Sequence, residues 1–135
     1  MLFRSKSLYL LYGQFEEEHG LTKRAMSVYD RMTRAVEKDE MFEAYEVLAA
    51  KTTANYGLPA TRAVYERAIE VLPDRPTSEM CLRFAALERK LGEIDRARAI
   101  YAHASQFCDP RTRPDFWKEW NAFEIDHVRS WLSAF

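Results

Sequence analysis

Large apolar residues recur along this chain at offsets of three, four and seven, the spacing that puts side chains on one face of a helix. One set is bulky: Leu8, Leu11, Tyr12 and Phe15; Phe42, Tyr45, Leu48 and Ala49; Met80, Phe84, Leu87 and Leu91; Phe116, Trp120 and Phe123. A second, smaller set alternates with it: Ala25, Val28, Tyr29 and Met32; Val64, Tyr65, Ala68, Ile69 and Leu72; Ala97, Ile100, Tyr101 and Ala104. Gly20, Gly57 and Gly92 part the bulky stripes from the small ones, and glycine suits the left-handed residue that ends a helix. Pro59 suits an early helical position. Pro73, Pro76, Pro110 and Pro114 fall between pairs, with Thr77 and Asp109 placed to cap or turn there. The pattern predicts helices near 7–19 and 22–37, 40–55 and 59–72, 77–91 and 94–107, and 114–130.

The stripes also keep register. Tyr29, Tyr65 and Tyr101 are 36 residues apart, within KRAMSVYDRM, PATRAVYERA and DRARAIYAHA. Trp120, Phe123 and Glu124 stand 36 after Phe84, Leu87 and Glu88, while Phe15 and Glu16 stand 72 before Leu87 and Glu88. Such a period marks helix pairs that cannot bury both faces alone and must stack. The expected fold is all-α: a right-handed α-solenoid of antiparallel helix pairs, one domain over 1–135. Its units are about 7–37, 40–72 and 77–107, with a leading helix at 114–130. That last helix lacks a partner, which leaves Trp117 or Trp120 poorly covered, so an excerpt of a longer array is expected. The repeat is carried by Tyr12, Phe15, Glu16, Tyr29, Tyr65, Phe84, Glu88, Tyr101, Trp117, Trp120, Phe123 and Glu124. Glu88 and Glu124 each follow a packed position, so backbone or an arginine of a neighbouring helix should hold them. Arg62 and Arg98, also 36 apart, are the candidates.

Composition narrows the function classes. Among 135 residues, 20 are basic and 21 acidic, so the net charge gives no reason to bind nucleic acid or an acidic membrane nonspecifically. No apolar run reaches membrane-spanning length, and no small-molecule substrate is implied. MLFRSKS lacks the apolar stretch of a signal peptide. Cys81 and Cys108 stand alone, without a CxxC, and read as packing residues of a reduced compartment. His19, His103 and His127 have no HxxxH or HExxH spacing, so neither a metal site nor catalysis is expected. No phosphate-cradling glycine motif and no GxSxG occur, so no cofactor is expected. Arg89, Lys90, Arg96 and Arg98 make RNA binding the runner-up, although acids interleave them. A peptide-binding adaptor like the tetratricopeptide co-chaperones would need a repeated Lys, Arg and Asn cluster that these copies lack. The loop DPRTRPD at 109–115, with Arg111 and Arg113, is a candidate partner contact, although the plainer role of an inter-repeat spacer is favoured over it.

The row W-x-x-W-x-x-F-E at 117–124, with TRAVYERA at 61–68 and RARAIYAHA at 96–104, resembles the HAT (half-a-TPR) repeats of RNA-processing proteins. Tetratricopeptide repeats fit less well, since no small-residue signature is read in the first helices. The stretches from LYLLYGQFEEEHG and from MCLRFAALERKLG onward are similar to the C-terminal repeats of the Syf-one family of splicing factors. That resemblance implies a nuclear, non-enzymatic protein-interaction scaffold, with other spliceosomal proteins of the Prp-nineteen-associated assembly as partners. In animals it also implies a link to transcription-coupled repair. After His127 the pattern departs: Val128-Arg129 can be encoded by an intron's first bases. Residues 128–135, and MLFR at 1–4, are therefore expected to be foreign to the family.

Overall fold

The computed structural model describes residues 5–133. The expectations for MLFR at 1–4 and for the last two residues lie outside that range. Among the described residues are seven α-helices, two short 3-10 turns and no strand. The chain divides into two compact units, 1–72 and 73–135.

The first unit is built from α1 (Lys6–Glu18), α2 (Thr22–Ala35), α3 (Lys38–Tyr56) and α4 (Arg62–Val71), with consecutive helices packed together. A 3-10 turn over Pro59–Thr61 leads into α4, with Pro59 at its first position. The second unit holds α5 (Asp74–Lys90), α6 (Ile94–Ala104) and α7 (Pro114–Ser133), and a 3-10 turn over Ser105–Phe107 extends α6. Helices α1, α3, α5 and α7 are the first helices of the repeat; α2, α4 and α6 are the second. The last helix runs on through residues 128–133.

Two of the breaks between paired helices are chemically alike. At α1–α2 the Gly20 amide donates to Glu17 O (3.0 Å) and the Leu21 amide to Glu16 O (2.9 Å). At α5–α6, Gly92 donates to Arg89 O (3.0 Å) and Glu93 to Glu88 O (2.8 Å). These are paired Schellman closures, and they need the positive φ of Gly20 (71°) and Gly92 (79°). Two junction expectations fare differently. Asp109 does turn the chain: its carbonyl accepts from the amides of Thr112 (3.1 Å) and Arg113 (2.8 Å). Thr77 does not stand at the helix start, because α5 already begins at Asp74 and Thr77 is buried inside it. Pro76 lies in the first turn, where its missing N–H leaves no bond unmade.

One stripe is corrected. Leu8, Leu11, Tyr12 and Phe15 do not face the core of their unit; each is at least half exposed, and Tyr9, Gly13 and Glu16 are buried instead. Close packing decides this. A Cβ on Gly13 would lie 2.4 Å from the Tyr29 ring, so only glycine admits α2 on that side. The same row continues as buried Ala49 and Ala85, each 36 residues on. The first helices therefore do carry a small-residue row, contrary to the sequence reading. Cys81 and Cys108 are buried free thiols. Burial, with Cys108 close by, pushes the Cys81 thiol up to about 11. No described helix is long and apolar enough to cross a membrane.

Candidate functional site

The aromatic–glutamate row is most fully formed where α6 meets α7. Tyr101 sits among three rings of α7: Phe123 at 5.1 Å, Trp120 at 6.1 Å and nearly parallel, and Phe116 at 6.2 Å between centroids. Tyr101, Phe116 and Phe123 are almost fully buried, while Trp117 and Trp120 are half-buried. Each indole finds a partner: Trp117 Nε1 donates to Cys108 O (3.0 Å) and Trp120 Nε1 to Glu124 Oε1 (3.3 Å).

Glu124 is also gripped by the Arg98 fork, at 2.8 and 2.9 Å. Such a planar, two-bond pair is strong and fixes direction as well as distance. The Arg98 bonds hold the Glu124 carboxyl below its ordinary range, and the carboxylate in turn raises Arg98. The guanidinium groups of Arg89 and Arg98 lie over the Phe123 ring, at 5.3 and 6.0 Å. Arg98 was the expected partner of Glu124. Glu88 is fully buried and pairs with Arg96 at 3.3 Å.

The earlier copies vary the theme. Tyr29 is buried against Gly13, with Lys51 of α3 over its ring at 5.4 Å. Lys51 also pairs with Glu17 (2.9 Å). Burial, and the Glu17 carboxylate beside it, push the Tyr29 hydroxyl up to about 12. Phe84 is buried and Tyr65 half-buried. Tyr12 and Phe15 point outward, as above, and Glu16 is buried with Oε2 unbonded among the described residues.

Two arginines do work that the sequence concealed. Arg67 of α4 reaches α2 and α3 together: Asp30 at 2.7 Å, Thr33 Oγ1 at 3.0 Å and Tyr45 Oη at 3.3 Å. Its 36-residue counterparts are Arg31 and His103, so no constant residue marked it. Arg113, a candidate partner contact by sequence, is spent internally. Its side chain is only 12% exposed, donating to Ser78 Oγ (2.6 Å) and pairing with Glu79 and Asp115, both at 3.4 Å. It anchors the 109–115 loop onto α5. Arg111 stays exposed, its amide donating to Asp109 Oδ1 at 2.9 Å.

These groups can hold helices together; the rings of Tyr101, Phe116 and Phe123 are too deeply buried to offer a stacking platform to a base. Among the described residues no cluster of three or more His, Cys, Asp or Glu could hold a metal ion.

Comparison with known proteins agrees with this geometry. The sequence profile described as "Pre-mRNA-splicing factor Syf1/CRNKL1 C-terminal HAT repeat" matches residues 3–130. Pre-mRNA-splicing factor SYF1 of Mycosarcoma maydis is 72% identical over 121 residues, which is 90% of this chain and 11% of that protein. The syf1 homolog of Drosophila melanogaster is 58% identical, and SYF1 of Homo sapiens 54%, each over 91% of this chain and 14% of the relative. The chain thus spans roughly an eighth of the length of these curated relatives. With a stacked aromatic–glutamate row, a 36-residue period and a match over nearly its whole length, the chain belongs to the Syf1/CRNKL1 C-terminal HAT-repeat family.

Proposed function

We propose that this chain is a stretch of a spliceosomal scaffold: a nuclear, non-catalytic array of helix pairs that holds other splicing proteins in place. The observation that carries this reading is the use made of its conspicuous side chains. Tyr101, Phe116, Trp120, Phe123, Arg98 and Glu124 are consumed in joining one helix pair to the next helix. What they create is a fixed backbone form, and its work is geometric: exposed faces and loops at set distances. The kinship with SYF1 splicing factors supplies the setting. Arg111, at the exposed tip of the 109–115 loop, is the proposed partner contact within this stretch.

Affinity purification of the tagged full-length protein, read by mass spectrometry, tests the assignment. Recovery of proteins of the Prp-nineteen-associated assembly is expected, and Arg111→Glu should thin that set while the far-ultraviolet circular dichroism stays unchanged. Chaperones recovered without splicing proteins would instead favour a peptide-binding adaptor.

A further inference from the structure

Between α2 and α4 lies a groove of about 590 Å³, floored by α3. Each helix turns one face to it: positions 23, 27 and 30 of α2, 63 and 67 of α4, and 48, 52 and 56 of α3, all at helical spacing. Both helix pairs that frame the groove are in place, so it is not a face kept for the stacking of another pair. Its middle is apolar and its rims are short. Leu48 and Val64 are buried at the bottom, while Ser27 and Ala63 stand exposed on the two walls. Tyr56 is 53% exposed at the end where α3 finishes.

The charges sit at the two ends. Lys23 is exposed and forms no ion pair among the described residues. Seven residues further along α2, Asp30 is shared by Arg67 (2.7 Å) and Arg34 (3.5 Å). The ends thus present three cations against one carboxylate. Arg67 is also fixed in place, because Thr33 and Tyr45 accept from two of its nitrogens and Asp30 from the third. A guanidinium has more N–H donors than these bonds use, so a held arginine still has hydrogens to give.

We propose that this groove docks an acidic segment of another splicing protein, with an apolar side chain seated on Leu48 and Val64 between two carboxylates, one meeting Lys23 and the other Arg67. The two carboxylates would stand roughly 10 Å apart, the rise of seven helical residues. This partner presupposes the scaffold role proposed above, and its chemistry is what the groove adds. An RNA strand fits less well. Its phosphates call for a continuous row of cations, whereas Lys23 and Arg67 stand at opposite ends of an apolar floor.

Carbodiimide couples a lysine to a carboxylate that touches it. Applied to the affinity-purified full-length protein with its partners and read by mass spectrometry, it should join Lys23 to an Asp or Glu of a different protein, in a segment with an apolar residue between two acids. Lys23→Arg keeps the charge but cannot be coupled, so the link should vanish while the partner is still recovered. A fluorescein-labelled synthetic copy of the linked segment should bind the full-length protein about tenfold more weakly after Lys23→Glu, and changing the peptide's facing acid to lysine should restore binding. Ala63→Trp fills the groove from an exposed wall without touching a charge, and should weaken binding as much. The partner's identity decides a separate matter: the same link to a protein outside the splicing machinery keeps the groove and removes the splicing setting. The groove's assignment is overturned if Lys23 links to no other protein, if it links to a second copy of this one, or if ultraviolet light joins a nucleotide to Lys23 or Tyr56 instead.

Discussion

At Gly13 the missing side chain is a packing device. Alanine there gains helix propensity, worth about 1 kcal/mol, but its Cβ would meet Tyr29 Cε1 and Cζ at 2.4 Å. Overpacking of that kind typically costs 1–3 kcal/mol, roughly, so the clash wins. Gly13→Ala should lower the thermal midpoint measured by circular dichroism, and Tyr29→Leu in the same chain should recover part of the loss. If Gly13→Ala were stabilising, the close approach of α2 would be wrong. Glu124 yields a pH-dependent counterpart. Its folded pKa lies below the unfolded value because Arg98 holds the charged form. The pair's contribution is thus complete above the unfolded pKa of about 4.3, and it disappears as the pH drops through the folded value. Both side chains are more than a third exposed, so solvent screening keeps the effect small. Stability should fall on acidification below about pH 4.3 more steeply in the native chain than in Glu124→Gln, as urea midpoints at several pH values would reveal.

Among the elements, the Schellman closures are the most sensitive points. Nothing lies within 4 Å of a Cβ built on Gly92, so substitution there meets only backbone strain. The left-handed conformation costs an L-residue about 1–2 kcal/mol, and asparagine less. Gly92→Ala should therefore destabilise by about 1 kcal/mol and Gly92→Asn by less, in urea unfolding; equal effects would mean that the turn relaxes. The closures were legible because a glycine every thirty-odd residues stands out against only four in the chain. Helix positions were legible for the same reason: α2 and α5 start and stop close to where their stripes do. The face of α1 was not. Leu8, Tyr12 and Phe15 have perfect helical spacing, but periodicity reports that a stripe exists, not which neighbour meets it. Gly13, Ala49 and Ala85 would have settled the matter, yet a small residue leaves no peak in a hydrophobic pattern. Arg113 was misread because its charge suggested solvent, while its bonds to Ser78 and Glu79, over thirty residues away, are invisible in local sequence.

For the molecule as a whole, the balance of charge is also a balance in space. Arg89 faces Asp126, Arg96 faces Glu88, and Arg98 faces Glu124, so three of the four basic residues that raised the prospect of RNA binding are paired with acids at home. Fluorescence anisotropy with single-stranded RNA should show no saturation below about 100 μM at physiological salt. A low-micromolar affinity that weakens steeply with added salt would contradict this. The buried pair of cysteines has a consequence for the solution behaviour of the second unit. With Cys81 pushed to about 11, almost none of it is thiolate at neutral pH, and its sulfur is shielded as well. Alkylation by iodoacetamide must then wait for α5 to come away from its neighbours. The labelling rate becomes a clock for that opening, readable by mass spectrometry in a cell extract without any engineered probe.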